Sequence, residues 1–206
     1  MQSKDKIFRA EYDETGVRVY QAFCSEIADW ALEHQKFGGP KFNPTRMTWI
    51  KPSFAWMLYR SGYGYKHGQK RILKMTLPHE ALAVLLAKCQ CKEGGGGTLG
   101  RVQWDPERDL LEPDAKRPLR PRKMLSRRAI QIGLKGKLSK FYVDKVTKIE
   151  EVSELAHKVF DLHSAISKVK SLKDKPSPGD LLTELPRERE YLPLCSEEDL
   201  KKLGLA

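Results

Sequence analysis

The stretch Arg71-Ile-Leu-Lys-Met-Thr-Leu-Pro-His-Glu-Ala-Leu-Ala-Val-Leu-Leu-Ala-Lys88 changes its hydrophobic period in the middle. Residues 71–77 alternate apolar and polar side chains, which predicts a half-buried β-strand. Pro78 has no backbone N–H and is therefore well tolerated at the start of a helix. We expect residues 79–88 to form the most apolar helix of the chain. A strand and a short helix therefore follow each other directly.

The same patterns recur on both sides of this stretch. Alternation and capping residues predict further strands and short helices, with strands at residues 17–23, 48–50, 102–104 and 129–134 and helices beginning near Ser25, Phe54, Leu138, Ser153 and Ser196. Neither G-x-G-x-x-G nor G-x-x-x-x-G-K-[ST] occurs, and this order favours an α+β fold over a doubly wound sheet. We expect one compact domain over residues 1–170, with a mixed or antiparallel sheet and short flanking helices. Residues 171–206 are predicted to be a linker and a C-terminal extension that packs back on the domain.

Composition limits the class of protein. The 206 residues are 40% hydrophobic and 32% charged, which is enough to build a core. The first residues lead into no apolar run, and no eighteen-residue apolar stretch follows, so we expect no membrane association. Four cysteines in a chain of this length do not make a disulfide framework. The protein is predicted to be intracellular, cytoplasmic or nuclear, and not secreted.

The net charge of +11 is concentrated in one segment. Residues 116–148 contain twelve Lys and Arg against the single acid Asp144, so the rest of the chain is neutral on balance. A local basic patch attracts polyanions, above all a phosphate backbone. The predicted nucleic-acid contacts are the cations Arg117, Arg120, Arg122, Lys123, Arg127, Arg128, Lys137 and Lys140. The alternative is that these side chains only keep the surface soluble.

Residues 46–64 combine aromatic and cationic side chains in a way that predicts a ligand pocket. The helix that follows Pro52 presents free backbone N–H groups near Ser53, which suits a phosphate or a carboxylate. Arg46, Lys51 and Arg60 are predicted to hold that anion, and Trp49 and Tyr59 to stack on a flat ring. The alternative is that the aromatics are ordinary core and the cations are solvated.

Acidic residues also alternate after the strand at residues 102–104. Asp105, Glu107 and Asp109 share one face of an extended segment and could bind a divalent cation, whereas a turn at Pro106 would scatter them. Glu107 is the candidate general acid or base. The pair Cys89 and Cys91 lacks the second half of a zinc site, so we expect no metal.

Five motifs carry a resemblance to a known family. They are Val-Tyr-Gln-Ala at 19–22, Arg-Met-Thr-Trp-Ile-Lys-Pro-Ser-Phe at 46–54, Trp-Met-Leu-Tyr-Arg-Ser-Gly-Tyr-Gly at 56–64, Val-Gln-Trp-Asp-Pro-Glu-Arg-Asp-Leu at 102–110 and Ile-Gln-Ile-Gly-Leu at 130–134. In these motifs the chain closely resembles domain-of-unknown-function family 4291. The resemblance covers residues 7–194. By itself it implies no particular reaction.

The order of elements is similar to that of compact ADP-ribosyltransferase domains. This likeness implies that Tyr20 and Gln21 lie at the first-strand position of the active site and that Trp49 and Tyr59 flank a nicotinamide. It also implies that Glu107 or Gln131 stands where the catalytic glutamate is expected, although no H-Y-E or R-S-E triad can be written for this sequence.

Two functions from different classes follow from these patterns. The first is an enzyme that uses NAD in the manner of an ADP-ribosyltransferase and acts on or near nucleic acid. It would use Glu107, Gln131 and Tyr20 in catalysis. The second is a non-catalytic nucleic-acid-binding module that uses residues 116–148.

Overall fold

Strands and short helices succeed each other along the chain, and the predicted α+β class is confirmed. The computed structural model describes residues 5–91, 99–113, 123–169 and 172–205. Ten strands occur in these ranges: β1 (Arg9–Ala10), β2 (Tyr12–Asp13), β3 (Gly16–Phe23), β4 (Thr48–Ile50), β5 (Arg71–Leu77), β6 (Cys89–Cys91), β7 (Gly100–Arg108), β8 (Met124–Leu134), β9 (Lys148–Glu151) and β10 (Arg189–Glu190).

Seven α-helices occur in the same part of the chain: α1 (Ser25–His34), α2 (Phe54–Ser61), α3 (His79–Ala87), α4 (Lys137–Lys145), α5 (Ser153–Lys168), α6 (Leu181–Glu184) and α7 (Glu197–Leu203). A 3₁₀ turn lies at Leu172–Asp174. None of the helices in the described ranges is long and apolar enough to cross a membrane.

Two four-stranded sheets form the framework. The first has the order β2-β3-β5-β9 and is antiparallel, while the second has the order β4-β8-β7-β6 and includes one parallel pair, β6 with β7. The sheets meet where Tyr20 of β3 and Lys51, just after β4, exchange two backbone hydrogen bonds of 2.8 and 3.2 Å. A short two-stranded ladder pairs β1 with β10.

The hydrophobic core is divided into two clusters. The larger one joins the inner faces of both sheets to α3, with fully buried members such as Val19, Met75, Leu82 and Ile132. The smaller one surrounds α2 and α5. Helix α2 is buried along most of its length, and only its Tyr59 and Arg60 are exposed. Its position is therefore fixed by packing on nearly every side.

Helix α2 is capped at both ends. The Oγ of Ser53 accepts a hydrogen bond from the Trp56 N–H at 3.3 Å, and Gly62 ends the helix with φ of 58°. A glycine adopts this left-handed conformation without the steric cost that a Cβ would bring.

Strand β7 extends past the predicted turn at Asp105 and Pro106. It continues to Arg108 with a register irregularity between Pro106 and Arg108. Pro106 pairs with Arg128 of β8, and the irregularity that follows it is the kind of bulge at which a strand tolerates proline. The predicted turn is therefore replaced by a bulged strand.

The last thirty residues contact the N-terminal part of the chain. Besides the β1–β10 pairing, the Tyr191 N–H donates to the Phe8 carbonyl at 2.8 Å. The indole N–H of Trp104 donates to the Leu203 carbonyl at 2.8 Å, which ties α7 to β7. The strand of this extension, β10, is only two residues long.

Candidate functional site

A cavity of about 620 Å³ lies beside the junction of the two sheets. Its walls come from the end of β3, from β4 and the residues around it, from α2, and from the central strands β7 and β8. Five of the predicted site residues line it, namely Arg46, Trp49, Lys51, Arg60 and Gln131. The sheet junction and the buried helix α2 therefore bring together residues that lie 85 positions apart in sequence.

Two exposed arginines line this cavity. Arg46 precedes β4 and Arg60 lies in the last turn of α2, and both are exposed. Within the described part of the chain, neither has a carboxylate within salt-bridge distance. An Arg with no internal partner keeps its planar set of donors for an external anion, and phosphate fits that set in a bidentate manner.

The indole of Trp49 forms one wall. Trp49 pairs with Gly133 in the β4–β8 register. A Cβ on Gly133 would come 2.8 Å from Cη2 of the indole, so the ring lies directly against the backbone of β8. Gly133 therefore determines where the flat, half-buried ring can lie. The second wall tryptophan, Trp56, is buried in α2.

Lys51 lies in the floor of the cavity and is only 5% exposed. Its Nζ donates to the Trp49 carbonyl at 3.1 Å and lies 5.5 Å from the centroid of Trp56. Burial lowers the pKa of Lys51 to about 7; the positive charge of Arg60 contributes to the fall and the carboxylate of Asp105 opposes it. Near neutral pH this amine therefore has a substantial uncharged population.

A row of amides completes the polar floor. Gln103 and Gln131 face each other across the β7–β8 ladder. The Nε2 of Gln103 donates to Asp105 at 3.0 Å, and the Nε2 of Gln131 donates to the other oxygen of the same carboxylate. Asp105 thereby orients both amides. Among the described residues nothing donates to their Oε1 atoms, which stay available as acceptors for a ligand.

Four predicted residues do not line this cavity, namely Tyr20, Ser53, Tyr59 and Glu107. Tyr20 is buried beside the sheet junction, and its hydroxyl donates to Glu11 at 3.1 Å. Burial raises the pKa of Tyr20 far above its ordinary value. Tyr59 stacks under the guanidinium of Arg108 at 4.0 Å, and Ser53 is engaged as the cap of α2.

Glu107 lines a second cavity of about 310 Å³. Its carboxylate is buried and accepts two hydrogen bonds from Arg127, at 2.6 and 2.9 Å. The predicted acid or base is therefore separated from the predicted ligand residues, because the bulge of β7 places it beyond the main cavity.

The N-terminus of α2 differs from the prediction. Its Phe54 N–H donates to Oε1 of Glu188 at 2.6 Å, so a carboxylate of the chain itself occupies the predicted anion position. The pKa of Glu188 is raised to about 8, mainly by burial and also by the nearby Glu107, while the Phe54 N–H and Ser53 act in the opposite direction. A helix N-terminus attracts any carboxylate that can reach it, and the fold supplies one from the C-terminal extension.

The basic segment is divided between two places. Lys123, Arg127 and Arg128 lie at the outer end of the β7–β8 hairpin, whereas Lys137 and Lys140 lie on α4 beyond the other end of β8. All five are exposed. Arg127 is paired with Glu107, and Lys140 with Asp144 at 2.8 Å. The predicted Arg117, Arg120 and Arg122 lie outside the described residues.

Several contributors to these sites were not predicted from the sequence. Gln103, Trp56 and His67 line the main cavity, and Glu188 belongs to the second one. A local signal for a polar cavity is the single glutamine in each of the two central strands, Gln103 in β7 and Gln131 between Ile130 and Ile132 in β8. In the described ranges, no group of three or more His, Cys, Asp or Glu is arranged to hold a metal ion.

The fold and the cavity define an α+β protein with a cationic, amide-lined cleft at the junction of two sheets. A family model described as "Domain of unknown function (DUF4291)" matches residues 7–191, and the chain belongs to this family. This confirms the resemblance seen in the five sequence motifs. No curated protein matches the chain.

Proposed function

We propose that the protein binds NAD in the main cavity and acts as an ADP-ribosyltransferase-like enzyme on or near nucleic acid. The observation that carries this proposal is the convergence of Arg46, Arg60, Trp49 and Gln131 on one cavity. Its volume of about 620 Å³ is in the range of small-molecule sites.

Each part of the dinucleotide has a matching group. Arg46 and Arg60 hold the diphosphate, because they are the exposed cations of the cavity that have no ion pair within the described ranges. The indole of Trp49 stacks on the nicotinamide or the adenine. The Oε1 atoms of Gln103 and Gln131 accept hydrogen bonds from the carboxamide or the ribose hydroxyls, since Asp105 holds their Nε2 groups.

The roles in catalysis follow from the same geometry. Transfer of ADP-ribose breaks the bond between nicotinamide and the ribose carbon; neutral nicotinamide leaves, and the acceptor bonds to that carbon and releases a proton to solvent. Gln131 orients the ribose by hydrogen bonding but cannot accept a proton. Glu107, bound to Arg127 in the second cavity, is too engaged to act as the base unless the acceptor enters from that side. Gln131 is therefore our choice as the residue nearest the reacting atoms.

The test is incubation with labelled NAD and a mixture of RNA, DNA and protein acceptors, together with thermal unfolding in the presence of NAD. We expect NAD to raise the unfolding temperature and label to appear on an acceptor. Arg46→Ala and Arg60→Ala should abolish both effects while leaving the unfolding temperature without NAD unchanged, because both side chains are exposed.

The matched control is Arg187→Ala, which removes an exposed arginine beside the second cavity. It should retain the effects of NAD. The proposal fails when NAD produces neither a thermal shift nor transfer, or when Arg187→Ala abolishes them as completely as Arg46→Ala does.

The second candidate is a nucleic-acid-binding module, and one observation favours it. All eight Lys and Arg in residues 123–148 are exposed. Within the described part of the chain, only Arg127, Lys140 and Lys148 of these have a carboxylate partner. The other five remain available for phosphates, and the charge-reversal experiment described in the Discussion tests this function.

A further inference from the structure

We propose that Lys51 supplies a reactive amine to the main cavity and forms an imine with the carbonyl carbon of a phosphorylated aldehyde. The proposal rests on the proposed function in one respect, namely that Arg46 and Arg60 hold the phosphate of the ligand. The reactivity of the Lys51 amine follows from its own surroundings.

The position of Lys51 differs from that of an ordinary phosphate-binding lysine. It is 5% exposed, and its side chain lines the cavity floor beneath the exposed arginines. In the described structure its Nζ has no carboxylate within salt-bridge distance; its hydrogen-bond partner there is the Trp49 carbonyl at 3.1 Å. One hydrogen bond leaves the rest of the nitrogen free to face a ligand.

The charged groups around this nitrogen favour its neutral form. Arg60 from α2 repels a second positive charge at Lys51, and Arg46 and His67 line the same cavity. Asp105 from β7 attracts that charge, but its two oxygens are engaged by Gln103 and Gln131. Burial is the largest contribution, and the pKa of Lys51 is about 7. Trp56 presents its uncharged ring face to Nζ at 5.5 Å from the ring centroid.

A neutral amine is what imine formation requires. The lone pair of Nζ attacks the carbonyl carbon, and a carbinolamine forms as the nitrogen loses one proton and the oxygen gains one. The carbinolamine then loses its hydroxyl as water while the nitrogen gives up its second proton, which leaves a C=N bond. No oxidant or reductant is consumed, and an exposed lysine is slow because it is almost wholly protonated at pH 7.

The proposed enzyme would itself generate a suitable ligand. When water replaces the acceptor, NAD is hydrolysed to nicotinamide and ADP-ribose, which has a hemiacetal at the carbon that held nicotinamide and an aldehyde there in its open-chain form. With the diphosphate on Arg46 and Arg60, that carbon would lie deeper in the cavity, toward Lys51. The imine on Lys51 would thus be a covalent state of the same site.

The experiment uses pyridoxal 5′-phosphate as the probe, followed by borohydride reduction and peptide mapping of the modified lysines. ADP-ribose with cyanoborohydride forms a parallel arm. Pyridoxal, which lacks the phosphate, tests the need for the arginines. The exposed Lys66 and Lys70 serve as internal comparisons within the same protein.

We expect Lys51 to be modified at least about tenfold faster than Lys66 or Lys70 at pH 7, with a rate that is half-maximal near pH 7. Arg46→Ala with Arg60→Ala should remove the preference for the phosphorylated probe. Lys51→Met should lose the fast modification, and peptide mapping of the unaltered chain decides the matter if that variant does not fold.

The inference is overturned when modification is spread over the exposed lysines, when Lys51 reacts only above pH 9, or when pyridoxal reacts as fast as its phosphate. If Lys51 is not preferentially modified but NAD still raises the unfolding temperature, the inference is rejected and the proposed function is retained. If Lys51 is preferentially modified but NAD has no effect, the reactivity of the Lys51 amine is supported and the proposed function is rejected.

Discussion

The carboxylate of Glu188 accepts a hydrogen bond from the backbone N–H of Phe54 at 2.6 Å, across 134 positions of sequence. This contact fixes the C-terminal extension to the first turn of α2. It also places an acid in the protein interior close to Glu107, where its pKa is raised to about 8.

The first prediction concerns the dependence of stability on pH. Between pH 4.5 and about 8 the folded protein keeps a proton on Glu188 that the unfolded chain has released. The free energy of unfolding should therefore fall as the pH rises through this window, by on the order of 2 kcal/mol. Glu188→Gln should remove this part of the fall while keeping an acceptor for Phe54. Urea unfolding at pH 5, 6.5 and 8 measures it, and parallel curves for both proteins would contradict the assignment.

The second prediction concerns the neighbouring ion pair. Glu107→Gln removes the charged partner of Arg127 and should cost about 1 kcal/mol of stability, since Arg127 can turn to solvent. The same change removes a negative charge beside Glu188, so the pKa of Glu188 should fall. The pH-dependent loss of stability would then be smaller than in the unaltered protein. An unchanged pH profile would show that the two carboxylates do not interact.

The third prediction concerns the contact of Trp49 with Gly133. Gly133→Ala places a methyl group 2.8 Å from the indole, so the ring must move, at a cost of about 1–3 kcal/mol. Because the displaced ring can no longer stack on the ligand, NAD should no longer raise the unfolding temperature. In a Trp49→Ala background the added methyl meets no ring, and the cost should vanish. Unfolding curves of the two single variants and the double variant give the coupling; additive losses would disprove it.

The fourth prediction concerns nucleic acid. Lys123→Glu combined with Arg128→Glu should weaken binding and lower the slope of log K against log salt by about 0.9 for each phosphate that the protein no longer neutralises. The control is Lys36→Glu combined with Lys88→Glu, which makes the same change in net charge on exposed residues outside the basic segment. Equal weakening in both proteins would indicate a response to net charge rather than a binding surface.

The sequence predicted those parts of the fold and site that depend on short distances along the chain. Strand β5 has the predicted bounds, and α2 begins at the predicted Phe54, because alternation and helix-start signals are local properties. Arg46, Trp49, Lys51 and Arg60 fall within fifteen positions, so one strand and one helix suffice to bring them to one cavity.

The remainder depends on pairings that local patterns do not encode. Gln131 reaches the cavity because β8 pairs with β4, and Glu188 reaches α2 because the chain returns after residue 180. The turn predicted at Pro106 gave way to a strand because Asp105 and Pro106 pair with Ala129 and Arg128 of β8. In each case a partner distant in sequence decided the local structure.

The two backbone hydrogen bonds between Tyr20 and Lys51 make the amine of the cavity part of the seam that holds the sheets together. A ligand that restrains Lys51 restrains both sheets at once. The amide hydrogens of Tyr20 and Lys51 are therefore natural reporters of occupancy, whose exchange with solvent deuterium would slow on binding before any reaction occurs.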